Sequence, residues 1–172
     1  VEAALDRGFA LLGLGRETEA LAVFEDALAR DPARVEALHG RGATLHRAGR
    51  LDEALAAYEA ALARVPDLAP AMNGRAGVLR AQGRYAEALA QWDALAALVP
   101  GLAEVHHNCG SALYELGRHE EAVAAYDRAL ALRPDYRQAL HNRSAALSRL
   151  MRFTEALATC DRLLALDPEY AE

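Results

Sequence analysis

Pro32, Pro66, Pro100, Pro134 and Pro168 follow one another at intervals of 34 residues. A constant interval of this size marks one supersecondary unit written several times. Such a unit cannot bury its apolar face alone and must stack on its neighbours. Counted from Val1, the units are residues 1–34, 35–68, 69–102, 103–136 and 137–170. Residues 1–172 are therefore expected to form a single repeat array, with no room for a separate catalytic domain. Each proline withdraws a backbone donor and blocks a continuous helix, so it punctuates the joint between units.

Other places in the unit recur for physical reasons. Place 20 is Ala20, Ala54, Ala88, Ala122 and Ala156, and place 8 is Gly8, Gly42, Ala76, Gly110 and Ser144. Small side chains there let the two helices of a unit approach closely. Place 24 supplies a large ring to fill the space between units: Phe24, Tyr58, Trp92 and Tyr126, then Cys160. Place 11 is leucine throughout, Leu11 to Leu147, on the apolar stripe of the first helix. Place 15 is Gly15, Gly49, Gly83 and Gly117, then Met151, where a left-handed cap ends that helix. Arginine at place 16 (Arg16, Arg50, Arg84, Arg118, Arg152) and glutamate at place 19 (Glu19, Glu53, Glu87, Glu121, Glu155) carry the signs that suit the helix dipoles.

Agreement across five copies resembles the tetratricopeptide repeat family along essentially the whole chain. Residues Asn108 to Asp135, NCGSALYELGRHEEAVAAYDRALALRPD, read as a near-consensus unit. The resemblance implies an all-α fold, a right-handed α-solenoid of antiparallel helix pairs whose first helices line a concave face. Two places depart from the family pattern. Place 7 is Arg7, Arg41, Arg75, Cys109 and Arg143, and place 25 is acidic in every unit. An inter-unit ladder is expected from them: Glu25–Arg41, Glu59–Arg75 and Asp127–Arg143. The fifth unit is the weakest, with Met151, Ser144 and Cys160 in place of the turn glycine, the small glycine and the ring. The natural protein is expected to continue beyond it, or another molecule to cover that end.

The formal charge is −6, which argues against a nucleic-acid partner, since such binders carry a basic stripe. All 19 basic residues are arginine and the chain has neither lysine nor isoleucine, the mark of a GC-rich, bacterial genome. No run of 18 apolar residues exists to span a membrane, and no charged-then-apolar leader stands at Val1; a cytoplasmic location is expected. Cys109 and Cys160 are far apart in sequence and read as small buried hydrophobes rather than a disulfide or metal pair.

Function must lie in the groove. Places 2, 5, 6, 9, 12 and 13 share one face of each first helix. In the first unit this face offers an apolar patch, Leu5, Phe9 and Leu12. In the middle, Gly40, Ala43, Gly74 and Gly77 are expected to leave room for a bound chain. The candidate peptide-binding residues are His39, Asn73, Arg80, His107, Asn108, Tyr114, His141, Asn142 and Arg149. Asn108 and Asn142 stand out, because an amide both donates to and accepts from a peptide backbone regardless of its sequence. The chaperone-tail clamp of the family needs basic residues where Leu5, Phe9, Gly40 and Pro70 stand, so it is not expected.

Catalysis is not expected. Glu36-x-x-His39 and Glu104-x-x-His107 match the spacing of di-iron bundles, but they are places 2 and 5 of units that a solenoid keeps apart. Phosphate-loop, nucleophile-elbow and zinc-protease motifs do not occur, and neither a metal nor another cofactor is called for. The expected function is a non-catalytic scaffold holding an extended peptide or helix. The alternatives are a substrate-presenting segment of a larger bacterial transferase, such as a glycosyltransferase, suggested by motifs such as Asn142-Arg143-Ser144, and a self-assembling scaffold joined through its C-terminal end.

Overall fold

The structure, a computed structural model, describes residues 2–166; Pro168 lies outside them. Among the described residues there are ten α-helices and no strand: α1 (Glu2–Gly13), α2 (Glu17–Arg30), α3 (Val35–Arg47), α4 (Leu51–Leu62), α5 (Ala69–Ala81), α6 (Tyr85–Leu98), α7 (Ala103–Glu115), α8 (His119–Leu132), α9 (Arg137–Arg149) and α10 (Phe153–Ala165). Two compact units divide them, Val1–Arg84 with α1–α5 and Tyr85–Glu172 with α6–α10. Pro32, Pro66, Pro100 and Pro134 all fall in the joints between a second helix and the next first helix.

The turn inside each repeat has one construction. Gly15, Gly49, Gly83 and Gly117 take φ values of 73°, 74°, 75° and 75°. The residue after each glycine then donates its N–H back to the place-11 carbonyl, as Arg16 does to Leu11 at 2.9 Å and Arg118 to Leu113 at 2.9 Å. This is the Schellman closure, and it satisfies carbonyls that the helix end would orphan. The following arginine opens the second helix and grips the place-19 glutamate with two bonds, as in Arg50–Glu53 at 2.7 and 2.7 Å. The same clamp forms at Arg16–Glu19, Arg118–Glu121 and Arg152–Glu155. All are exposed, so they contribute specificity of geometry more than stability.

Met151 makes the same turn with φ 59° and a side chain 73 % exposed. A residue with a Cβ is strained there, and little packing would be lost on removing it. Met151→Gly is expected to stabilise the chain by about 1 kcal/mol, measured as a rise in the urea midpoint.

In the first unit the core is threaded by place-24 rings. Phe24 is fully buried and so close to two helices that a Cβ on Gly8 would stand 2.8 Å from it and one on Gly40 2.3 Å. Tyr58 stands likewise between Gly42 and Gly74, at 3.0 and 2.3 Å. Gly40 and Gly74 are thus not open floor for a ligand, as their place on the helix suggested. The rings of the preceding repeat occupy that room. In the second unit Tyr126 packs over Gly110 in the same way, whereas Cys160 leaves the last repeat without a ring.

Two rungs of the expected ladder form. Arg75 meets Glu59 at 3.3 Å, and Arg143 meets Asp127 at 2.6 Å while also donating to Thr159 Oγ1 at 2.5 Å. Glu25 and Arg41 do not pair; the Glu25 charge adds only a small pull on Arg50, and the Arg41 charge on Glu53. Where Cys109 replaces the arginine, its thiol sits 3.7 Å from Asp93, and burial with the Asp93 charge pushes it up to about 12. Both cysteines are free thiols, Cys109 buried and Cys160 half-buried.

Candidate functional site

The groove face of the first unit is a run of packed rings. Phe9 meets Phe24 edge-on with centroids 5.0 Å apart, His39 lies 5.9 Å from Phe9, and Tyr58 lies 6.0 Å from His39. Leu5 is not part of an exposed patch. It is 4 % exposed and joins Leu11, Phe24 and Ala37 in the core, with Phe9 and Leu12 packed half-buried against them. Asn73 and Arg80 are exposed on α5. Arg47 is taken up by Glu17 at 3.0 Å and by the Leu12 carbonyl.

Burial holds the His39 imidazole below its usual range, and burial with the Arg80 charge does the same to His46. Unfolded, both take a proton near pH 6.5; folded, they resist it. The unfolded chain then binds more protons as pH drops, so this part of the stability is present above about pH 6.5 and is lost on acidification. The glutamates of the Arg–Glu clamps are held below their ordinary value of 4.5, so their losses begin lower still. A urea titration at about pH 5 is expected to show a lower midpoint than one at about pH 7.5, and His39→Gln should narrow the gap.

The second unit carries a built depression. His107 on α7 is half-buried between Tyr126 and Tyr136, with centroids 5.8 and 5.0 Å away. Asn142 Nδ2 on α9 lies 3.0 Å from His107 Nε2 and 3.5 Å from Ser111 Oγ. An amide nitrogen donates, so in this contact Asn142 is the donor and His107 Nε2 the acceptor. Tyr136 is capped by the Arg133 guanidinium 3.5 Å above its ring, and Arg133 is held by Glu104 at 2.8 Å. His107, His141 and Asn142 then wall an open depression of about 540 Å³ with Arg137 and Gln138, and Leu163 and Leu164 of α10 give it an apolar side. Further along, Arg149 donates to the Tyr114 hydroxyl at 3.2 Å, and Tyr114 stacks near His119 at 5.0 Å.

The structure therefore brings His107, His141 and Asn142 together, and Tyr114 with Arg149 as a separate pair; Asn108 is half-buried on α7. Sequence reasoning missed Leu163, Leu164, Arg133 and Tyr136. A signal existed for the last: place 34 is Arg34, Leu68 and Leu102 before it becomes Tyr136. No group of three or more His, Cys, Asp or Glu side chains poised for a metal occurs among the described residues. Glu36 is turned to Arg34 at 3.7 Å and Glu104 to Arg133, so neither Glu-x-x-His glutamate faces a metal partner. No described helix is long and apolar enough to cross a membrane.

Comparison with known proteins agrees with this architecture. Solved structures that resemble it include MamA, residue 41 to the end, from Desulfovibrio magneticus RS-1, at 20 % identity over 98 % of this chain and 95 % of that one, TM-score 0.88. MamA of AMB-1 matches at 24 % identity over 96 % and 98 %, TM-score 0.84, and MamA of MSR-1 at 24 % over 97 % and 96 %, TM-score 0.80. At these identities the likeness shows the fold, an all-α solenoid of antiparallel helix pairs. No curated protein sequence matches the chain. A family model described as tetratricopeptide repeat matches residues 67–135, and a second with the same description matches residues 5–69 and 110–171. The chain belongs to the tetratricopeptide repeat family and is a protein-interaction scaffold.

Proposed function

We propose that the depression between α7, α9 and α10 receives an extended peptide or a helix of a partner protein, and that the chain acts by holding it without catalysis. One observation carries this reading: a cavity of about 540 Å³ in which the apolar wall of Leu163 and Leu164 faces the polar groups of His107, His141 and Asn142. An apolar side chain of the partner enters the depression, while exposed His141 and Gln138 bond its backbone. Asn142 has a different part from that of a peptide-binding amide alone. Its bond to His107 fixes the imidazole, and it is a positioning residue as much as a contact. In the first unit, the partly exposed faces of Phe9 and His39 offer a second, separate apolar strip.

The test is selection of a displayed random peptide library on the immobilised chain and on a His141→Glu, Leu164→Glu variant. Sequences with a recurring apolar residue, enriched on the first and not on the second, support the reading. Absence of enrichment on the unaltered chain, or equal enrichment on both, would overturn it.

A second reading, self-association through the last helix, is favoured by a specific feature. Phe153, Leu157 and Leu164 of α10 are 59 %, 63 % and 44 % exposed, a contiguous apolar surface of the kind that marks an interface.

A further inference from the structure

Arg143 shows what fills the furrow between two second helices. It rises from α9, holds Asp127 of α8 at 2.6 Å and donates to the Thr159 hydroxyl of α10. Its side chain is only 16 % exposed, so the methylene stem is covered while the guanidinium meets the acid. Arg75 reaches Glu59 of α4 in the same way, at 3.3 Å.

The joint between α6 and α7 lacks this filler. Place 7 of α7 is Cys109, whose side chain ends at Sγ, 3.7 Å from Asp93 of α6. Asp93 is the place-25 acid of that joint and is exposed. The thiol, kept protonated by burial and by the Asp93 charge, offers one weak donor where the other joints have a guanidinium. A hollow of about 210 Å³ remains between α6 and α8 over α7. That is the scale of a side chain rather than of a drug-sized ligand. Leu89 of α6, Leu113 of α7 and Ala125 of α8 wall it, and Asp93 and Cys109 stand among them.

The furrow over Arg143 keeps a space of about 180 Å³, but there the arginine itself is part of the lining. That lining includes none of Val123, Leu140 and Leu147, the counterparts of Leu89, His106 and Leu113. The arginine closes off the depth that Cys109 leaves open. The other polar groups around the hollow are engaged or at its rim. Arg118 is taken up by Glu121 at 2.7 and 2.6 Å, with the Asp93 charge a lesser influence on it. His106 Nε2 lies 2.9 Å from the Pro100 carbonyl, and Arg128 is exposed on α8, where water screens it.

We infer that this furrow receives an arginine side chain of a partner protein, its guanidinium on Asp93 and its stem against Leu89, Leu113 and Ala125. The rung that Arg143 makes from within is completed here from outside. A planar guanidinium matches a carboxylate in two parallel bonds, which an ammonium does not. The hollow shares no lining residue with the depression of His107, His141 and Asn142, so the two sites are tested apart.

The probe is the blocked tripeptide glycyl-arginyl-glycine, added to the nitrogen-labelled chain while its nitrogen–proton correlation spectrum is followed. Saturable shifts centred on Asp93, Cys109 and Ala125 are expected, with a dissociation constant of about 1–10 mM. The same peptide with citrulline for arginine keeps the shape without the charge and should bind about fivefold more weakly or worse, as should the unaltered peptide on Asp93→Asn. Cys109→Arg supplies the rung internally and should abolish the shifts, with helicity checked by circular dichroism. If Cys109→Arg does not fold, Asp93→Asn, an exposed substitution, decides. No saturable shift at these residues, equal binding of the citrulline peptide, or undiminished binding to Asp93→Asn or to folded Cys109→Arg would overturn the inference.

Discussion

Replacing Tyr126 with alanine is expected to cost about 3–5 kcal/mol, the range for removing a large aromatic side chain from a packed interior. The ring is 1 % exposed and close enough to Gly110 that a Cβ there would stand 2.6 Å away. It lies beside His107, and its hydroxyl donates to Ser111 Oγ at 3.4 Å. It is therefore both the wedge between α7 and α9 and the floor under the candidate site. Denaturant unfolding followed by circular dichroism reads the stability. Tyr126→Phe keeps the ring and removes only the hydroxyl, so it should cost about 1 kcal/mol or less. A small loss from Tyr126→Ala would mean that the neighbouring helices close over the gap and that the ring does not set their spacing.

Gly40→Ala is the second large expectation, at about 3 kcal/mol of destabilisation. One methyl group is a minor change in most helices, where alanine is preferred to glycine by about 0.5–1 kcal/mol. Here the added carbon would stand 2.3 Å from the Phe24 ring, which is fully buried and has no route to solvent. Gly13→Ala in α1 is the control, since nothing lies within 4 Å of its Cβ position. The two substitutions should move the urea midpoint in opposite directions. If Gly40→Ala matched the control, the joint between α2 and α3 would be looser than the ring packing requires.

The contrast between these glycines explains what could be read from the sequence. Pro32 to Pro134 announced the joints and Gly15 to Gly117 the turns, because each acts through its own backbone. Phe24, Tyr58 and Tyr126 were legible as inter-repeat fillers because rings recur at one place. Gly40 and Gly74 were misjudged because their meaning depends on another helix. A small residue on a groove face is open floor or a socket according to whether the preceding ring reaches it. Leu5 was misjudged for a related reason: its burial with Phe24 and Ala37 depends on packing between helices that spacing along one helix does not report. Arg75 and Arg143 were placed on their acidic partners from spacing alone, whereas the equally spaced Glu25 and Arg41 do not pair. At the candidate site, His107, His141 and Asn142 were legible from their shared face. Arg133 and Tyr136 were not read: both lie in a joint, where the change at place 34 singles out Tyr136 but does not report which side chains it meets.

The central claim is that the depression of the second unit is where a partner is held. Its most direct measurement is a nitrogen–proton correlation spectrum of the labelled chain, recorded while a library-selected peptide is added. Shifts concentrated on His107, Gln138, His141, Asn142, Leu163 and Leu164 are predicted. Shifts confined to the opposite helices, α6 and α8, with these residues unmoved, would contradict it.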